Sequence, residues 1–231
     1  MQTAPAISVV IPVLNEARSI NALIAHLRSL APVDAVEIVV VDGDPAGSTV
    51  RAISHPLVVT AVADRGRASQ MNRGAAIASG AVLLFLHADT FLPRSAFALI
   101  RETMRNDRYL AGCFDLGIGT DRAIFRLTER YVALRTRITR IPFGDQAIFM
   151  RRDDFDRIGG YRNIPIMEVV DLMRRIRKRG GKVRVLPEKV RTSARRWEQD
   201  GVVLGTLRNW MLQAMYCCGV SPERLARFYR S

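Results

Sequence analysis

The sequence predicts an α/β protein built as one domain on a mostly parallel sheet, and three observations predict it. Short β-branched apolar runs alternate with segments of helical periodicity through the first half, the pattern of βαβ units. The runs Ile7–Ile11, Val36–Val41, Leu57–Val62 and Ala81–Leu86 are nearly all apolar, as strands covered on both faces by helices should be. The length of 231 residues, 48% of them hydrophobic, suffices for one substantial core and not comfortably for two.

Between these strands the spacing predicts helices over Glu16–Leu30 and Arg67–Ser79, the first with Ile20, Leu23, Ile24, Leu27 and Leu30 on one face, and a shorter helix over Thr49–Ser54. Beyond Pro93 the alternation fades. Helices are expected over Arg94–Arg105, Arg122–Arg140 and Met167–Arg179, strands over Ala111–Leu116, Ala147–Arg151 and Lys182–Leu186, a turn at Gly159–Gly160, and a last amphipathic stretch over Val202–Cys218. Residues of about 6–92 are thus expected to form a Rossmann-like half suited to a nucleotide, and about 93–231 a second half with the C-terminal helices.

Composition narrows the function. No apolar run approaches the roughly 18 residues of a membrane span, and Met1–Pro5 lacks the basic flank of a signal peptide, so a cytoplasmic protein is expected. Three cysteines, Cys113 and the adjacent Cys217 and Cys218, match neither a disulfide framework nor a zinc site; they read as thiols, the pair partly buried on a helix. A net charge of +13 calls for an anionic partner. The cations are nearly all arginine, whose fork grips phosphate bidentately. No zinc, helix-turn-helix or RNP-like signature accompanies them, so nucleic acid is not expected. The basic helices are instead expected to rest on an anionic membrane, at the inner face of the cell membrane, where a lipid-linked acceptor would lie.

In an open parallel sheet, ligands bind outside the carboxyl ends of the strands. There the chain carries Pro12, Asn15 and Glu16, then Asp42, Gly43 and Asp44, then Asp64, Arg65, Gly66 and Arg67, then His87, Ala88 and Asp89. Neither a Walker loop nor a dinucleotide fingerprint follows any strand, which argues against an ATPase or a dehydrogenase. A diphosphate would be held instead by a divalent cation, Mg or Mn, on a carboxylate, with arginines beside it. Asp89, fixed at the end of a buried strand, is the candidate ligand.

These residues carry a resemblance. ISVVIPVLNE followed by VVVDGDPAGST resembles the opening of the family 2 glycosyltransferases, whose fold is the GT-A nucleotide-sugar-binding domain. RGRASQMNRGAAIASGAVLLFLHADT, PFGDQAIFMRR, FDRIGGY, IPIME and SARRW are similar to a bacterial branch of that family, over nearly the whole chain. The resemblance implies a single GT-A domain that moves a sugar with inversion from a nucleoside-diphosphate sugar, with a divalent cation, to an acceptor the sequence does not name. It implies that Pro12, Asn15, Glu16 and Asp42 line the nucleoside pocket with Asp64, Arg65 and Asn72 alongside, and that His87-Ala88-Asp89 replaces an acidic metal motif, leaving Asp89 as the metal ligand. It also implies that Arg195, Arg196 and Trp197 form the element that holds diphosphate and acceptor.

One position departs from the pattern. Similar proteins have Ile-Met-Glu-Asp, with the aspartate as base for the acceptor's proton, where this chain has Ile166-Met167-Glu168-Val169. Valine cannot accept a proton, so Glu168, Asp171 and Asp145 become the candidate bases. Two alternatives follow: a noncatalytic or weakly active homologue that kept the donor pocket, and a nucleotidyltransferase. The second lacks the Gly-rich, lysine-containing loop after the first strand, where the chain has Val13–Arg18.

Overall fold

The computed structural model describes residues 6–32, 35–194 and 201–230. The strands are β1 (Ile7–Val13), β2 (Val36–Asp42), β3 (Val59–Val62), β4 (Val82–Phe85), β5 (Thr90–Phe91), β6 (Tyr109–Ile118), β7 (Ile148–Arg151) and β8 (Lys182–Thr192). The helices are α1 (Ile20–Leu30), α2 (Ser48–Arg51), α3 (Arg67–Ile77), α4 (Ala96–Met104), α5 (Ala123–Thr139), α6 (Arg152–Ile158), α7 (Glu168–Lys178), α8 (Val202–Cys217) and α9 (Pro222–Arg230), with a 3₁₀ turn at Gly144–Gln146.

All eight strands join one sheet in the order β3-β2-β1-β4-β7-β6-β8-β5. The ladder from β3 to β4 is parallel, as the βαβ alternation predicts. Beyond it β7 runs antiparallel to β4 and β6, while β8 lies parallel to β6. Two strands thus run against the rest, β7 inside the sheet and β5 at its edge. The carboxyl ends of β1, β2, β4, β6 and β8 share one edge with the start of β7.

A core lies on each face of this sheet. One gathers Ile20, Leu23, Ile24 and Leu27 of α1 with alternate residues of β1, β2 and β4; the other gathers Ala68, Met71 and Ala75 of α3 with Leu172, Met173 and Ile176 of α7. Full burial of one such Leu or Ile contributes about 1.5–3 kcal/mol, so these faces dominate the stability. The α1 stripe is buried as its spacing predicts, with Leu30 packed at the margin.

The structure corrects several expectations. The third strand is shorter than Leu57–Val62 and sits at the sheet edge with Leu57 and Val62 exposed, so an apolar run did not mean cover on both faces. β8 continues past Leu186 to Thr192, because its second half pairs with the end of β6. Cys217 and Cys218 are exposed, not partly buried; Cys113 alone is enclosed, where burial, reinforced by the charge of Asp115, pushes its thiol up to about 12. α6 and α9 were not expected.

Candidate active site

The strand ends are fastened to one another before any ligand arrives. Gln70 of α3 donates from Nε2 to the carbonyls of Val13 (2.7 Å) and Val41 (2.9 Å), pinning β1 to β2 at the rim. Asp42 is fully buried, and its carboxylate accepts from the backbone amides of Asp44 (3.0 Å), Thr49 (2.7 Å) and Val50. It therefore shapes the loop onto α2 through charge-assisted bonds. The Glu16 amide donates to Thr49 Oγ1 (3.1 Å), and Ser19 donates to the Glu16 carboxylate (2.6 Å), tying the loop after β1 to the same structure. Asn15 stands exposed at φ 59°, a left-handed conformation that asparagine tolerates better than most residues. Pro12 is half-buried beneath it, and Asp64 and Arg65 are exposed after β3.

The segment His87-Ala88-Asp89 crosses the sheet. β4 lies in the middle of the sheet, yet β5, five residues after its end, pairs with β8 at the far edge. In the order of the sheet β7, β6 and β8 all lie between the two strands that this short link joins. Ala88 is buried in this passage, and Asp89 is half-buried on it. The Asp89 carbonyl accepts from the Ser193 amide (3.2 Å), so the SAR-RW stretch starts against the proposed metal ligand. Arg195, Arg196 and Trp197 themselves lie outside the described residues.

The second half supplies the rest of the rim. The register of Ile148 against Phe85 brings the preceding Gly144–Gln146 turn beside the His87 segment. A Cβ on Gly144 would stand 2.8 Å from His87 Nε2 and 3.9 Å from Val169 Cγ2, so the GDQ turn, the HAD segment and the departing position meet at one point. Gln146 is wholly buried; it accepts from the Phe143 amide (2.9 Å) and Thr136 Oγ1 (3.1 Å) and donates to the Phe114 carbonyl (3.0 Å). Asp145 on the same turn offsets part of the burial that lowers Arg135 to about 10. Arg135 stacks on the Phe143 ring at 3.6 Å.

The candidate bases separate by environment. Glu168 opens α7 after Met167, which takes φ 71°, a conformation costly for a side chain of that size. Its carboxyl is almost enclosed, and burial raises its pKa against the opposing charge of Arg67. Asp171 is engaged at both oxygens: Oδ2 by Arg175 Nε (2.6 Å), Oδ1 by Arg162 (3.4 Å) and by the Tyr216 hydroxyl (3.3 Å). It is thus tied into the fold by two ion pairs and a hydrogen bond. Asn72 is likewise engaged, accepting from the Tyr161 amide (2.9 Å) and donating to the Tyr161 carbonyl (2.7 Å). It holds the Gly159–Gly160 turn onto α3, one layer behind the rim.

Arg67 is the rim residue to which the sequence reading gave no role. A cation at the first position of α3 opposes the helix dipole, and that misfit was a usable signal of an acidic partner, here Glu168.

Comparison with known proteins agrees with this geometry. The family described as Glycosyl transferase family 2 matches residues 8–164. The chain belongs to that family. Among solved structures, the mannosyltransferase PcManGT from Pyrobaculum calidifontis, in complex with GDP-Man and Mn2+, superposes with a TM-score of 0.67 at 19% identity, covering 92% of this chain and 61% of that one. S. aureus TarS 1-349 superposes with a TM-score of 0.61 at 16% identity, covering 81% of this chain and 60% of that one. This glycosyltransferase-family chain therefore spans about three fifths of the length of each, and at such identities the likeness establishes the GT-A fold alone. No curated protein matches the chain by sequence. Among the described residues no helix is long and apolar enough to cross a membrane.

Proposed function

We propose that the chain transfers a sugar, with inversion, from a nucleoside-diphosphate sugar held at this rim. The observation that carries the reading is the meeting of His87, two residues before Asp89, with Gly144 and Val169, next to Glu168. It supports a phosphate-side carboxylate and an acceptor-side acid on one sheet edge. Pro12, Asn15, Glu16, Asp64 and Arg65 would border the nucleoside, the loop capped by Asp42 forming its floor.

A divalent cation fits this site in a limited way. Among the described residues no three His, Cys, Asp or Glu side chains cluster as a metal cage. Asp89, with His87 nearby, would supply one or two ligands and the donor's own diphosphate the rest, the arrangement Mg and Mn favour with phosphate substrates. When bound, the cation neutralises charge on the leaving diphosphate. GDP-Man and Mn2+ in the Pyrobaculum neighbour favour the same pairing here.

On the acceptor side Glu168 is the base we assign. Burial holds its pKa above the usual carboxylate range, which suits an acid that must take a proton near neutral pH. Inversion asks this carboxylate to accept the acceptor's hydroxyl proton while oxygen attacks the anomeric carbon opposite the diphosphate. Thermal shifts with GDP, UDP and their sugars, with and without Mn2+, test the donor half. A cation-dependent stabilisation that Asp89→Ala abolishes is expected; stabilisation unchanged in Asp89→Ala defeats it.

Val169 favours a second reading, a donor-binding protein that lost its base. Turnover of a nucleotide sugar restored by Val169→Asp in an otherwise idle chain selects it; turnover by the native chain that Glu168→Gln removes selects the first.

For the acceptor we propose a lipid-linked molecule reached at an anionic membrane on the cytoplasmic side. α5 carries Leu127, Leu134 and Ile138 at 64%, 60% and 70% exposure with Arg130 between them, and Trp210 of α8 packs on Tyr131 beside this stripe. Exposed apolar residues bordered by arginine suit an anionic interface. Failure to sediment with vesicles containing phosphatidylglycerol would rule this out.

A further inference from the structure

A cavity of about 370 Å³ opens at the edge of the sheet opposite the rim, where β6 and β8 begin. Five of the residues that line it are cationic, Arg108, Arg140, Arg177, Lys182 and Arg184, and none is acidic. Among the described residues none of the five forms an ion pair with a carboxylate, although seven other basic side chains do. Two are held in position: Arg177 donates to the Thr139 carbonyl, and Arg184 lies over the Tyr109 ring at 5.7 Å. The volume is that of a small-molecule site.

Five like charges converging without counter-charge repel one another, and the repulsion is relieved by an anion among them. Guanidinium forks match phosphate oxygens in geometry as well as charge. β6 runs ten residues from this cavity to the rim, a span of roughly 30 Å at about 3.3 Å per residue, so the two sites cannot share one diphosphate.

We propose that this cleft is a second anion site, which takes the phosphate group of a small phosphorylated molecule or of a lipid headgroup. It is independent of the donor reading.

The probes are inorganic pyrophosphate without divalent cation, followed by titration calorimetry, and vesicles with and without phosphatidylglycerol, followed by sedimentation. The variant is Arg108→Glu/Lys182→Glu, both exposed and neither held by a hydrogen bond or ion pair of its own side chain among the described residues. Its charge-matched control is Arg94→Glu/Arg105→Glu, at exposed positions on either flank of α4 that do not line the cavity. A soluble ligand is indicated by pyrophosphate binding that weakens about tenfold or more in the cleft variant and persists in the control and in Asp89→Ala. A lipid headgroup is indicated if pyrophosphate is ignored while phosphatidylglycerol vesicles retain the native chain and the control but release the cleft variant. Equal losses in variant and control mean that net charge alone draws the anion, and the proposal falls. It falls equally if native protein ignores both probes, or if the cleft variant, melting normally, binds them as the native chain does.

Discussion

Glu168 is an acid placed where water scarcely reaches, 9% exposed, and the consequence is measurable without any substrate. Burial lifts its pKa above the ordinary 4.5, with Arg67 pulling the other way. Between 4.5 and the raised value the folded chain binds more protons at this site than the unfolded chain, so its contribution to stability falls as pH rises through that window. Glu168→Gln should therefore melt higher than the native chain at neutral pH, with the gap closing as pH falls below 4.5; a constant gap at all pH values would show the carboxyl to be unshifted. The same variant should lose turnover by about a hundred- to ten-thousandfold if Glu168 is the base, with donor binding preserved. Stability and activity moving in opposite directions would mark a group kept for chemistry.

At the scale of the element, the rim depends on how its loops are pinned. Gln146→Ala removes three hydrogen bonds, two of them buried, and strands the Phe143 amide and the Phe114 carbonyl, while Thr136 keeps its bond from Arg135. We expect a loss of about 2–4 kcal/mol, seen as a lower urea midpoint, since each stranded buried group costs about 1–3 kcal/mol. α3 approaches β1 so closely that a Cβ on Gly74 would stand 2.3 Å from Val10 Cγ1. Gly74→Ala should therefore destabilise, by about 1–3 kcal/mol, in spite of alanine's better helix propensity. A gain in stability would mean that helix and sheet sit farther apart. The expected helices over α1, α3 and α7 were legible because each buries a continuous stripe. α6 was not: Arg152–Ile158 is too short for periodicity to register, and Arg152 anchors it with bonds to the carbonyls of Ala75, Ala78 and Gly80.

Taken whole, the molecule is stitched across its midpoint. β4 of the first half pairs with β7 of the second, Asn72 holds Tyr161, and Arg152 holds the end of α3. The two halves that the motifs delimit should consequently unfold in a single transition, the same by fluorescence and far-UV circular dichroism. A fragment of residues 1–92 should show no cooperative transition, because it exposes the edge of β4 that pairs with β7 and strips α3 of its bonds to Tyr161 and Arg152; a sharply melting fragment would refute this.

The sequence by itself determined the parallel half of the sheet, the family and the strand-end positions of Asp42 and Asp89, because alternating apolar runs and the polar residues that end them are local properties of the chain. Only the tertiary structure decided what surrounds those residues. Asp42 and Asn72 have the right residue types for ligand contact, yet backbone groups engage both, those of the following loop for Asp42 and those of the distant Tyr161 for Asn72. Asp171 and Glu168 share a helix and a charge, and the packing of Arg162, Arg175 and Tyr216 around Asp171, not their spacing, sets the two apart. The antiparallel entry of β7, the crossing of His87-Ala88-Asp89 and the basic cleft at the opposite edge arise from pairings between distant segments, which no local pattern encodes.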